Sequence, residues 1–205
     1  PAATTLASFT PLQRVVLSAN GNLQRLGSAM AIEVSKSMRF AASAVHTPLG
    51  IAPVNRLAEQ PVLATILRAG MPMHQGVADV FDRAEQAFVS ACRNYTDETH
   101  SAFDIGIDAV ASPPLDGKVL VVCDPMLATG ASLAQVLTAL FASHGTPATV
   151  HVLAAIASQQ GIDHVQSCHP QAHLWVAAVD AELNDKGYII PGLGDAGDLA
   201  FGSKL

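Results

Sequence analysis

The chain has 205 residues, 50% of them hydrophobic and 14% charged, with a formal net charge of -6. That is enough apolar material for one well-buried core, so a single soluble globular domain is expected. An acidic chain argues against sequence-independent nucleic-acid binding, which needs basic surface to displace counterions, and no run approaches the roughly 18 uninterrupted apolar residues of a membrane span.

The start, PAATTLASF, lacks the basic flank and apolar run of a signal peptide, so Pro1 is taken as the mature start of a chain neither secreted nor membrane-bound. Leu23, Leu26, Met30, Val34 and Met38 then recur at spacings of three and four, which predicts a helix over 22–43 with Asn20 or Asn22 as its cap. Three prolines in HTPLGIAPVNRLAEQP break that pattern. Apolar runs follow at 61–67, 87–92, 118–123, 149–157 and 173–179, continuous enough to be strands covered on both faces. Helix-like stretches at 73–84, 131–144 and 159–167 alternate with them, so the class is α/β with a mostly parallel central sheet flanked by helices.

One segment departs from the alternation. Residues 94–117 begin polar, alternate through Phe103, Ile105 and Ile107, and turn at Pro113-Pro114, the pattern of a β-arm that could serve as a lid or be a plain edge hairpin. Cys92, Cys123 and Cys168 form no CxxC pair, so neither a disulfide framework nor a zinc ribbon is expected and a reducing cytosol is the natural setting. His164, Cys168, His169 and His173 are spaced in a way that suggests zinc, but they fall on a helix, before a proline and at a strand start, and so would not converge. His74, near the loop after the first of the apolar runs, is a better candidate for a functional histidine, but a structural role is expected. Charge is uneven: residues 1–70 hold six Lys or Arg against two acids, and residues 71–205 hold five against fifteen. The basic third could meet phosphate or a partner subunit, or be only solvated helix faces.

The chemistry concentrates where the strand KVLVVC runs into DPMLATGAS. In a parallel sheet the carboxyl ends of the strands open into the ligand crevice. Leu127, Ala128, Thr129, Gly130, Ala131 and Ser132 offer successive backbone N–H groups, two hydroxyls and a helix start, which favour a phosphate through fixed donors and the helix dipole. No GxxxxGK[ST] accompanies them, so a phosphate monoester is expected rather than a triphosphate. Asp124 would stand beside the sugar carrying that phosphate. By pattern alone an ordinary strand-to-helix turn fits as well.

VVCDPMLATGAS resembles the ribose-phosphate motif of the phosphoribosyltransferases, and DPMLATG resembles the form it takes in the uracil phosphoribosyltransferase family. ILRAG (66–70) and YIIPGLGDAGDLAFG (188–202) resemble two further segments of that family in the same order. The resemblance runs from Pro61 to the end and is weaker over the first 60 residues. It implies a single domain over 1–205, with a core at about 60–180, a hood from 1–59 and 181–205, and a flexible arm at about 94–117.

It also implies transfer of the phosphoribosyl group of 5-phosphoribosyl pyrophosphate (PRPP) to uracil, giving UMP and pyrophosphate in pyrimidine salvage. Mg2+ would be bound mainly through PRPP rather than by protein ligands alone. Arg68, Arg93 and Asp124 fall on the catalytic positions. Pro125, Met126, Leu127, Ala128, Thr129, Gly130, Ala131, Ser132 and Asp195 join them in holding PRPP. Ile189, Gly194, Asp195 and Ala196 fall on the uracil loop, where glycines let main chain meet the flat base. Without the resemblance, Arg68 reads equally as a strand-end residue reaching solvent, and the glycine loop as a connection with no ligand.

The resemblance further implies a non-prolyl cis peptide near Arg68, Ala69 and Gly70, and a homodimer or higher homo-oligomer. Three departures stand out: Ala131 replaces a common glycine, MPMHQG follows ILRAG, and RNYTDETHSAF displaces the acidic stretch expected after Arg93, which affects Asp97 and Glu98. A PRPP- or UMP-sensing regulator, or a phosphoribosyltransferase for another base, would use the same scaffold. PGLGDAGD and the lack of a basic RNA-binding face favour the uracil enzyme.

Overall fold

The computed structural model describes residues 4–5, 19–95 and 103–202. In chain order its elements are β1 (Thr4–Thr5), α1 (Ala19–Ser35), β2 (Phe40–Thr47), β3 (Gly50–Leu57), β4 (Val62–Leu67), α2 (Met71–Ala78), β5 (Glu85–Tyr95) and β6 (Phe103–Ala111). There follow β7 (Val119–Cys123), β8 (Met126–Leu127), α3 (Ala131–His144), β9 (Thr149–Ser158), α4 (Gln159–Cys168), β10 (Ala172–Asp180), β11 (Glu182–Leu183), β12 (Ile189–Ile190) and α5 (Ala196–Phe201).

The five apolar runs become β4, β5, β7, β9 and β10 of one sheet, ordered β1-β10-β9-β7-β4-β5-β6 with β8 beside β9. Its pairings are parallel except between β5 and β6. Period-two geometry divides each central strand between two cores. Val62, Ala64, Val122, Val150 and Val152 face Leu133, Leu137, Leu140, Ile162 and Val165 of α3 and α4. Leu63, Val121, Leu153 and Ile156 face Leu23, Met30 and Val34 of α1 and Met73 and Val77 of α2. With helices on both faces, neither side of these strands can be polar, which is why they read as unbroken apolar runs.

α1 crosses α2 with backbones touching. A Cβ on Gly27 would lie 2.1 Å from the Met73 carbonyl oxygen, and one on Gly76 would lie 1.8 Å from that of Gln24. The Ser28 hydroxyl closes the crossing by donating to the Gly76 carbonyl at 2.9 Å. Since α2 follows directly on Arg68–Gly70, this crossing anchors that loop to the N-terminal helix.

Residues 40–57 differ from expectation. The helix ends at Ser35, not 43, and single-turn hydrogen bonds from Lys36, Ser37 and Met38 close it. Met38 completes the apolar stripe from that turn and still packs on the core. An antiparallel hairpin follows, running from Phe40 opposite Leu57 to Thr47 opposite Gly50. Its prolines are compatible with a strand because Pro48 sits in the turn and Pro53 on a ribbon that, among the described residues, pairs with no third strand. Asn20 does not cap from outside: it lies within α1 and its amide donates to the Ala200 carbonyl at 3.0 Å. Asn22 accepts from Arg25 at 3.1 Å. The alternation at 103–107 becomes β6, antiparallel to β5 at the sheet edge.

Candidate active site

Parallel β4, β7 and β9 deliver their carboxyl ends to one edge of the sheet, and there the structure has a cavity of about 420 Å3. Three stretches line it: 66–69 at the end of β4, 124–133 after β7 apart from Pro125 and Ala131, and 187–188 with 195–197 of the C-terminal segment, with Ala91 of β5 at the side; Ile189 and Gly194 are not among the lining residues. Ala91 lies where the β5–β6 register shifts, so the irregular edge strand borders the site.

The loop after β7 is held from behind. Asp124 donates its N–H to the Leu153 carbonyl at 3.1 Å, and its Oδ1 accepts from the Met126 N–H at 3.3 Å, an Asx turn that starts the loop. The Pro125 carbonyl accepts from both Ala155 and Ile156, locking this turn to β9. Ser158 is fully buried at the end of β9. Its hydroxyl donates to the Ala128 carbonyl at 2.6 Å and accepts the Gly161 N–H at 2.9 Å, capping α4 while gripping the cradle. Gly161 permits that approach, because a Cβ there would lie 2.3 Å from the Ala128 oxygen.

Gly130 is the N-cap of α3 with φ +80, a left-handed conformation that glycine alone adopts without strain. A Cβ on it would meet the Gly161 carbonyl at 2.7 Å. The first-turn N–H groups of α3 thus begin at the cavity, an arrangement that receives an anion. Thr129 also serves the loop itself, its Oγ1 accepting from the Ala131 N–H at 3.4 Å.

The loop after β4 faces this cradle. The Leu67–Arg68 peptide is cis, a non-prolyl cis bond at Arg68 as the resemblance implied. Gly70 is close-packed: a Cβ there would lie 2.2 Å from Thr65 Oγ1 and 2.7 Å from the Cys123 carbonyl. Burial, and then the Asp124 carboxylate, push the Cys123 thiol well above the usual range, so it is an inert core group. Arg68 Nη2 donates to Asp198 Oδ1 at 3.1 Å.

The C-terminal segment closes over both loops. Asn184 Oδ1 accepts from the N–H groups of Lys186 and Tyr188, shaping the turn that carries Gly187 and Tyr188 to the cavity. Ile190–Pro191 is cis. Asp180 is buried at the end of β10, and its Oδ2 accepts the Gly192 N–H at 3.1 Å. Asp195 caps α5 by accepting the Asp198 N–H at 2.9 Å.

The structure therefore gathers Arg68, Asp124, Met126, Leu127, Ala128, Thr129, Gly130, Ser132, Asp195 and Ala196 around one cavity. Pro125 is buried behind the wall, and Ala131, half-buried at the start of α3, does not line it. Ile189 is 4% exposed and packs in the core under the loop, while Gly194 is exposed with φ +77. The side chain of Arg93 and all of Asp97 and Glu98 lie outside the described residues.

Tyr188, Ser158, Gly161, Asp180 and Asp198 were missing from the sequence-based set, whereas Gly197 belongs to the glycines expected to open the base loop. A serine ending the apolar run before GID is a cap signal that points to Ser158; nothing local marks Asp180 or Asp198. His74 is buried against Phe88, with ring centroids 5.5 Å apart and neither ring nitrogen hydrogen-bonded. Burial holds its pKa below the ordinary histidine value; Gln86 and the Ala64 backbone oppose that shift without reaching hydrogen-bond geometry. His169 bonds the Ala134 carbonyl at 2.9 Å, and no group of three or more metal-ligating side chains occurs among the described residues.

A family model for uracil phosphoribosyltransferase matches residues 18–203. The chain is 47% identical over 185 residues to the uracil phosphoribosyltransferase of Porphyromonas gingivalis, covering 90% of this chain and 84% of that protein. It is 42% identical over 179 residues to that of Methanothermobacter thermautotrophicus, covering 86% and 80%. A solved Aquifex aeolicus protein superposes with a TM-score of 0.86 at 33% identity, covering 98% of each chain. Adenine phosphoribosyl transferase of Trypanosoma brucei shares the fold at TM-score 0.56 and 12% identity, covering 93% of this chain and 87% of that one.

Proposed function

The chain belongs to the uracil phosphoribosyltransferase family, and from that premise we propose that it transfers the phosphoribosyl group of PRPP to N1 of uracil, yielding UMP and pyrophosphate in pyrimidine salvage. One observation carries the reading at this site: the cradle of 126–130 and Ser132, with left-handed Gly130 opening α3, shares a cavity with Arg68 and the 195–197 loop. A phosphate, a leaving pyrophosphate and a base thus each have a wall.

In the reaction the bond from C1 to pyrophosphate oxygen breaks, and N1 of uracil, losing its proton, bonds to C1. Positive charge develops on the sugar and negative charge on the departing group, so fixed groups of opposite sign lower the barrier. The Ala128–Ser132 backbone and the hydroxyls of Thr129 and Ser132 hold the 5-phosphate. Asp124 accepts from the ribose hydroxyls and stabilises the developing cation. Arg68, joined by Arg93, meets the pyrophosphate. The loop over 189–196 presents main chain to the uracil edge, Ile189 supporting it from the core and Gly194, Asp195 and Ala196 reading the base, with Asp195 also turned toward PRPP.

Asp124 and Asp195 are the cavity carboxylates, a donor set that suits Mg2+ carried chiefly on phosphate oxygens. When bound, the ion offsets charge on the pyrophosphate.

The working unit in this proposal is one domain with its core at 60–180, a hood from 1–59 and 181–205, and an arm at 94–117. It forms a homodimer or higher homo-oligomer. Support comes from the β2–β3 hairpin, which bares Phe40, Leu49 and Ile51 at 48%, 100% and 66% exposure. A reducing, cytoplasmic setting is supported by the free thiols of Cys123 and Cys168. No helix among the described residues is long and apolar enough to cross a membrane.

The test is UMP and pyrophosphate formation from PRPP, Mg2+ and uracil, run beside cytosine, orotate, hypoxanthine and adenine. UMP is expected from uracil alone, with Asp124→Asn lowering kcat about 100-fold or more. Absence of product with every base, while PRPP still raises Tm, would reject the enzyme in favour of a sensor.

A further inference from the structure

Arg68 sits between the two loops that the reaction must coordinate. Its Nη2 donates to Asp198 Oδ1 at 3.1 Å and reaches the Gly202 carbonyl at 3.5 Å. Asp198 is bound in turn to the base loop, its N–H donating to Asp195 Oδ1 at 2.9 Å. Gly197, between them, lies beside the loop after β4: a Cβ there would be in ordinary contact, 3.9 Å from both Arg68 Nη2 and Ala69 Cβ. Meanwhile Arg68 Nε is buried without a hydrogen-bond partner, in a side chain that lines the cavity. One end of the planar guanidinium is anchored, which fixes the orientation of the whole fork in the cavity wall.

We propose that Asp198 is the positioning residue for Arg68: its carboxylate holds the guanidinium in the orientation that meets the pyrophosphate arm of PRPP, and couples that grip to the uracil loop. The inference rests on the PRPP reading above. Two physical arguments separate it from simpler roles. The ion pair is half exposed, with side chains at 40% and 37%, so it contributes little to folding. Asp198 also adds negative charge beside an anionic ligand; acting by charge alone it would weaken PRPP binding, and its removal would tighten it. Positioning predicts the opposite sign.

The experiment is calorimetric titration of PRPP and of ribose 5-phosphate, with Mg2+, into the full chain and into Asp198→Ala, Asp198→Asn, Arg68→Ala and the Arg68→Ala/Asp198→Ala double variant. Asp198→Ala is expected to weaken PRPP about tenfold, on the order of one hydrogen bond to a charged group. Ribose 5-phosphate, which lacks the pyrophosphate, keeps its affinity, and Tm stays unchanged. Asp198→Asn retains an acceptor and falls between wild type and Asp198→Ala. In the Arg68→Ala background the second substitution has no further effect, because the coupling runs through the guanidinium. Equal weakening of both ligands, a loss that persists without Arg68, or tighter PRPP binding by Asp198→Ala would each overturn the proposal. If the wild-type chain bound no PRPP, the functional reading itself would fall; wild-type binding with Asp198→Ala unchanged rejects this inference alone.

Discussion

Ser158→Ala removes one oxygen atom that two buried groups share. The Ala128 carbonyl loses a donor at 2.6 Å and the Gly161 N–H loses an acceptor at 2.9 Å. Loss of a serine cap destabilises by about 1 kcal/mol, and a carbonyl left buried without a partner adds roughly 1–3 kcal/mol. Neither group can turn to water, since Ala128 is 5% exposed and Gly161 is buried. The sum is about 3 kcal/mol, which lowers Tm by roughly 6–12 °C for a chain of this size. Urea and thermal unfolding at fixed protein concentration measure it. The same change frees the cradle, so ribose 5-phosphate should bind less tightly even well below Tm. A urea midpoint within experimental error of wild type would refute the reasoning, because it would mean that the two groups find other partners.

His151 supplies a pH test. It is buried on β9, and its Nδ1 accepts from Trp175 Nε1 at 3.1 Å. Burial, then the neighbouring His173, lower its pKa from 6.5 to about 4. The unfolded state therefore takes up the proton first, and the stabilising contribution, complete above pH 6.5, declines as pH falls towards 4. By pH 5 the loss is roughly 2 kcal/mol; His151→Gln should flatten that part of the stability profile, and an unchanged slope would contradict the assignment. Gly130→Ala forces a side chain into φ +80 and within 2.7 Å of the Gly161 carbonyl. A loss of at least about 2 kcal/mol in urea unfolding is expected, with weakened ribose 5-phosphate binding, and retained affinity would show that the cradle does not need this turn. Asp180→Ala releases the Gly192 N–H and should raise KM for uracil roughly tenfold, about 1.4 kcal/mol, while leaving KM for PRPP unchanged; equal changes in both would point to general loosening.

Much of this protein was written locally. The runs that became β4, β7 and β9 were legible because burial on both faces leaves no polar alternation, and 131–144 became α3 with those same limits. The cradle was legible for the same kind of reason. A small-residue turn between a buried strand and a helix needs Gly130 at a left-handed position, and that requirement shows in a few consecutive residues. The hairpin at 40–57 was hidden because its prolines signalled only a break, and the helical stripe ran on through Met38, which meets the core from a turn.

What tertiary structure alone decided are the partnerships across distance. Arg68 finds Asp198 130 positions away, Ser158 finds Ala128 across 30, and Gly76 meets Gln24 backbone to backbone. Period and turn chemistry act over a few residues, so they foretell elements and loops. A carboxylate, a buried hydroxyl or an absent Cβ acquires its meaning only when the sheet brings a second segment within about 3 Å of it, and it is at that separation that this site is assembled.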